Sequence, residues 1–138
     1  MTSLEDIFGP PIHTYTRAQA LEDGALIDVT DLAHEYAFTI PVALTATAHA
    51  DAVAWDHGAT QDETGRLWDV LTMLRHAIWK TSNSGPAAAA NVRELAFQVM
   101  RVPNQAEATR PRPTTLKAVS GPGDNGEHVL TIMLTTED

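Results

Sequence analysis

A chain of 138 residues, 43% hydrophobic and without cysteine, is long enough to bury a core as one domain spanning 1–138 with no disulfides. The missing thiols exclude thiolate metal sites and thiol catalysis, and suit a reducing cytoplasm. The formal charge of -9 is unevenly placed: residues 1–64 hold eleven acids against Arg17 alone, net -10, and residues 65–138 hold seven acids and eight bases, net +1. An acidic half disfavours nucleic acid as a direct ligand, because Lys and Arg supply phosphate affinity, and favours a protein partner with a basic surface. The first twenty residues lack a basic n-region, and no run approaches the roughly 20 apolar residues that span a bilayer. A cytoplasmic protein with no membrane association is expected.

In chain order, residues 1–14 read as an arm whose apolar Leu4, Ile7 and Phe8 are stopped by Gly9-Pro10-Pro11. Thr16 caps a helix through Leu21 that stops at Asp23-Gly24, Ala25 to Val29 is a short strand, and Thr30-Asp31 caps a helix to about Ala37. Phe38 to Pro41 is an extended connection, since the residue before proline avoids the helical region. In Val42 to Trp55, Leu44, Thr47, Ala48 and Asp51 sit at helical spacing, which predicts a helix. Asp56 to Glu63 is a loop, from which Asp62 or Thr64 caps the strongest helix, Gly65 to about Lys80. Its Leu67, Leu71, Leu74 and Ile78 fall at i, i+4, i+7 and i+11, a stripe suited to covering a sheet.

Thr81 to Asn91 is low in complexity and contains Gly-Pro, which predicts a flexible surface loop over 81–91. Glu94 to Val102 alternates as a strand with Leu95, Phe97 and Val99 on one face, and Pro103 to Pro113 is a polar loop. Two further β-prone runs, Thr114 to Val119 and His128 to Leu134, flank the turn-rich SGPGDNGE and predict an antiparallel hairpin. Leu116, Ala118, Leu130, Ile132 and Leu134 recur at period two on its buried face, with Lys117 and Thr131 alternating outward. The outline is α+β: N-terminal helices packed on a small antiparallel sheet of three to four strands that includes the C-terminal hairpin.

Chemistry-bearing patterns are sparse. The six histidines, at 13, 34, 49, 57, 76 and 128, include no His-x3-His pair, so no metal and no cofactor is expected. There is no Gly-x-Ser-x-Gly elbow, and Gly121-Pro122-Gly123-Asp124 lacks the lysine and following helix of a phosphate loop. Glu22, Asp23, Asp31 and Glu35 form the candidate acidic partner-binding surface. Tyr15, Arg17, Asp28, Arg66, Trp68, Asp69 and Lys117 form a second candidate set, large polar residues near predicted element ends, with Arg17, Arg66 and Lys117 able to line an anionic-ligand pocket.

TYTRAQALEDGALIDV, IPVALT, DETGRLWDVLTMLRHAI and TLKAVSGPGDNGEHVLTIML together resemble a bacterial domain-of-unknown-function family met on plasmids, phages and other mobile elements. Ser120 stands where that pattern has cysteine, and Glu127-His128 where it has Glu-Pro. The resemblance implies a mobile-element setting and carries no chemistry with it. Combined with the acidic half, it predicts a non-enzymatic protein-binding module. Such a module would inhibit a host nucleic-acid-handling or defence complex, of the anti-CRISPR or anti-restriction kind, by occupying a basic groove. The alternative is a ligand-binding or enzymatic domain using the Arg17, Arg66 and Lys117 pocket.

Overall fold

The computed structural model describes residues 15–85 and 93–137, so the expected arm and residues 86–91 of the expected loop lie outside the described residues. Its elements are α1 (Arg17–Asp23), β1 (Leu26–Asp28), α2 (Thr30–Glu35), β2 (Val42–Thr45), α3 (Ala46–Ala52), α4 (Glu63–Ser82), β3 (Glu94–Arg101), β4 (Arg112–Pro122) and β5 (His128–Leu134). The class is α+β. The sheet, however, has five strands in the order β1-β2-β5-β4-β3, not three to four. It is also mixed, because β2 runs parallel to β5 while the other neighbouring pairs are antiparallel. The helices are not an N-terminal block laid on a C-terminal sheet, since β1 and β2 stand between them.

Local chemistry accounts for the ends of the helices. The Thr16 side chain accepts from the Gln19 amide and the Gln19 side chain reaches back to the Thr16 amide, a capping box, and Gly24 closes α1 with φ 83 in the left-handed region. α2 departs from expectation, because Thr30 and Asp31 lie inside it and no side chain caps Val29. Asp28 replaces the cap: its carboxylate accepts the Thr30 amide at 3.1 Å and the Thr30 hydroxyl at 2.5 Å. The same hydroxyl accepts the Val42 amide at 3.1 Å, which ties α2 to β2.

The expected helix over Val42 to Trp55 is corrected in its first four residues, which form β2. Val42, Ala43 and Leu44 are all fully buried between β1 and β5, and a strand covered on both faces reads as a continuous apolar run without alternation. One antiparallel ladder to β1 and one parallel ladder to β5 outweigh the helix propensity of alanine there. The helix begins only at Ala46, where the Thr45 side chain accepts the Ala48 amide at 3.1 Å.

Asp62 caps α4 by accepting the Thr64 and Gly65 amides, and the helix continues through Thr81 and Ser82, two residues into the expected loop. Its Val70, Leu71 and Leu74 are fully buried in one core with Phe97, Leu116 and Ile132. α4 lies chiefly along β3, and α3 packs on β2 and β5, so the hairpin is covered by two helices and not by α4 alone. Val129 and Met133, which alternate with the core-facing Leu130, Ile132 and Leu134, are buried as well, so β5 is covered on both faces. Among the described residues no helix is long and apolar enough to cross a membrane.

Candidate functional site

The glycine-rich stretch after β4 forms the hairpin turn, with the Gly123 amide bonded to the Glu127 carbonyl at 2.6 Å and Gly126 at φ 80. Its side chain Asp124 reaches across to α1, where the two carboxylate oxygens accept the Arg17 amide at 2.7 Å and the Ala18 amide at 2.9 Å. A carboxylate from more than a hundred residues away thus meets the first unpaired amides of α1, favourably placed for the helix dipole. Arg17 completes the junction by donating from Nη1 to the Thr131 hydroxyl at 2.8 Å and from Nη2 to the Leu130 carbonyl at 3.1 Å. Burial pushes its guanidinium below the ordinary value, opposed by Asp28, Asp124 and Glu127. Asp124→Ala is expected to lower stability by about 1 to 2 kcal/mol, the cost of an N-terminal carboxylate cap. Urea denaturation checks it, and an unchanged midpoint would mean that the junction contributes nothing to the fold.

This junction enlarges the acidic surface. A cleft of 310 Å³ is lined by Arg17, Asp28, Asp31, Asp124 and Glu127, four carboxylates around one guanidinium that is itself engaged on β5. Glu22, Asp23, Asp31 and Glu35 are all exposed. They are not equivalent, because Asp23 accepts the Tyr15 hydroxyl at 2.5 Å and the Ala25 amide at 3.1 Å. That bond to Asp23 raises the Tyr15 phenol above its usual range. Glu22, Asp31 and Glu35 take no hydrogen bond among the described residues. Asp124 and Glu127 were missed as members of this surface, since they come from the half of the chain with no net acidity.

Arg66 is in a different place. It is 2% exposed on α4, donates from Nε to the Val53 carbonyl at 2.8 Å and from Nη1 to the Val102 carbonyl at 2.9 Å, and lies over the Trp55 ring at 5.3 Å from its centroid. It therefore joins α4 to the ends of α3 and β3. Burial and neighbouring Arg101 push its guanidinium down, opposed by Glu63, Asp51 and Asp69. Arg101, 3% exposed, pairs through Nη2 with Asp69 at 2.7 Å, so Asp69 meets Arg101 and not Arg66, which lies three residues before it on the same helix. Trp55 Nε1, Arg66 Nη2 and Arg101 Nε are buried without a hydrogen-bond partner among the described residues.

The remaining members of the second set are dispersed. Lys117 pairs with Glu94 at 3.7 Å, and Trp68 packs on Tyr36 with ring centroids 4.9 Å apart. No hydrogen bond or ion pair among the described residues links Arg17, Arg66 and Lys117. Two positions singled out by the resemblance do meet, because the hairpin register sets Ser120 diagonally opposite His128 and their side chains hydrogen-bond. No carboxylate among the described residues bonds the other His128 nitrogen, so the pair lacks the orienting group of a nucleophile and base. Among the described residues no group of three or more His, Asp or Glu is disposed to hold a metal ion.

The segments that build the junction and the Arg66 hub, α1 with β1, α4, and β4 with β5, all lie within residues 8–138, over which the chain matches a family model. The chain belongs to DUF6573, a family of unknown function. No curated protein and no solved structure matches it.

Proposed function

We propose that this DUF6573 member is a small, cytoplasmic, non-enzymatic protein-binding module whose acidic face engages a basic surface of a partner. The setting proposed is a bacterial mobile element, and the partner a host nucleic-acid-handling or defence complex of the CRISPR or restriction kind. The carrying observation is the cleft in which Asp28, Asp31, Asp124 and Glu127 surround an already engaged Arg17, continuous in sequence with exposed Glu22 and Glu35. Carboxylates gathered at one surface compete for cationic grooves that otherwise take phosphate, and they steer association over distances of about a Debye length, roughly 8 to 10 Å.

Asp31→Lys with Glu35→Lys is the informative reversal, because both side chains are exposed and unbonded and lie one helical turn apart. Asp23 is a poorer site, being tied to Tyr15 and Ala25. With a basic partner recovered from the host, the pair is expected to slow association roughly tenfold at low salt and to leave dissociation and melting almost unchanged. The effect should shrink as salt is raised. Wild-type association rates in low salt would make the acids a solubilising surface only. The ligand-binding alternative is favoured by the three unpartnered donors around Arg66, Arg101 and Trp55. It requires stabilisation by a small anion such as inorganic phosphate, which the protein-binding reading does not.

A further inference from the structure

β3 is one of the two edge strands of the sheet, and its hydrogen-bond phase can be read from one contact. The Ser120 amide donates to the Arg93 carbonyl at 2.8 Å, so Arg93 and Ser120 oppose one another as a hydrogen-bonded pair. Antiparallel pairs alternate, hence Leu95, Phe97, Val99 and Arg101 also spend their backbone groups on β4. Glu94, Ala96, Gln98 and Met100 then turn their N–H and C=O groups to the free edge. Pro113 fits this phase, since it lies opposite Met100, where no N–H is needed toward β3. Among the described residues no strand pairs with that edge, and β3 carries neither the proline nor the lysine that commonly blunts one.

Beside the edge runs a groove of 450 Å³ between α4 and β3, lined by Asp69, Thr72 and Met73 on one side and Gln98, Val99 and Met100 on the other. Met73 and Met100 are exposed, Met100 by 58%, and methionine adapts to varied apolar side chains. The two ion pairs flanking this strand are turned the same way round. Arg101 and Lys117 are 3% and 14% exposed, while their partners Asp69 and Glu94 are 67% and 61% exposed, so solvent meets the carboxylates.

We infer that the free edge of β3 and the α4 groove take an extended basic segment of a partner protein as a sixth strand. The backbone groups of Glu94, Ala96, Gln98 and Met100 supply the ladder, the Met73 and Met100 groove takes an apolar side chain, and Asp69 and Glu94 take Lys or Arg toward the two ends. A second copy of the chain is the poorer occupant: each copy carries a charge of -9 and would bring the same exposed carboxylates to the contact. This surface is built from α4 and β3 and does not depend on the acidic face formed by α1, α2 and the hairpin turn.

The test is a titration of the ¹⁵N-labelled full chain with two eight-residue peptides, one alternating valine with lysine and the other valine with glutamate. The lysine peptide is expected to shift the amides of Glu94, Ala96, Gln98 and Met100, leaving α1 and α2 unmoved, and the glutamate peptide to shift none. Gln98→Pro removes one outward N–H and no backbone bond to β4, only the exposed side-chain bond from Nε2 to the Thr115 hydroxyl at 3.3 Å, so the fold should survive while affinity falls roughly tenfold or more. Met73→Lys leaves the strand untouched and should weaken the lysine peptide while favouring the glutamate one. Shifts confined to α1 and α2, equal response to both peptides, no response at these amides, or wild-type binding by Gln98→Pro would each overturn the inference. So would a dimer in sedimentation that Gln98→Pro abolishes, which would make a second copy the occupant.

Discussion

Leu71→Asp is expected to abolish the cooperative thermal transition of this protein at neutral pH. Leu71 is fully buried in the core cluster that α4 shares with β3, β4 and β5. The substitution removes about 3 kcal/mol of apolar packing and places a carboxylate where no donor is available, a penalty of several kcal/mol more. Against a whole-domain stability of about 5 to 15 kcal/mol, that loss leaves little or no folded population. Met73→Asp, two positions along on the exposed side of the same helix, should stay within about 0.5 kcal/mol of wild type. Circular dichroism melting checks both, and a Leu71→Asp protein that melts with the wild type would mean that α4 does not cover the core.

Arg66→Ala should be the most damaging change at any polar position of the chain, costing about 3 to 5 kcal/mol. Its two bonded carbonyls, of buried Val53 and half-buried Val102, lose their donors, at about 1 to 3 kcal/mol for the first and less for the second. The stacking of the guanidinium over the Trp55 ring is lost as well, while relief of repulsion from Arg101 gives part of this back. Arg66→Lys should not rescue, because one ammonium cannot reproduce the fork that spans Nε to Val53 and Nη1 to Val102. Trp55→Phe makes the contrast, since the indole N–H has no partner among the described residues and a phenyl ring keeps an aromatic face for the Arg66 guanidinium. Guanidinium denaturation of the three variants reads the order directly. A greater loss for Trp55→Phe than for Arg66→Ala would mean that packing, and not the guanidinium, holds α3, α4 and β3 together.

What the sequence determined by itself was the part of the fold carried by neighbours in the chain. The Thr16 cap and Gly24 stop of α1, the Asp62 cap and apolar stripe of α4, the alternation of β3, and the turn chemistry between β4 and β5 each depend on residues within a few positions of one another. The uneven charge and the absence of cysteine were equally legible. What depended on distant pairing was decided only by the tertiary structure. Val42 to Thr45 became a strand because β1 and β5 flank it, and an alanine-rich run has no local signal strong enough to announce that. Arg66 and Arg101 were buried because carbonyls from α3 and from the end of β3 converge on Arg66, while Asp69 and an α3 carbonyl hold Arg101. Arg17, Arg66 and Lys117 took separate partners for the same reason, each bonded to whichever acceptor the packing brought within reach. Asp124 and Glu127 joined the acidic face through a hairpin whose turn folds back onto α1, a contact between residues more than a hundred positions apart that no spacing along the chain encodes.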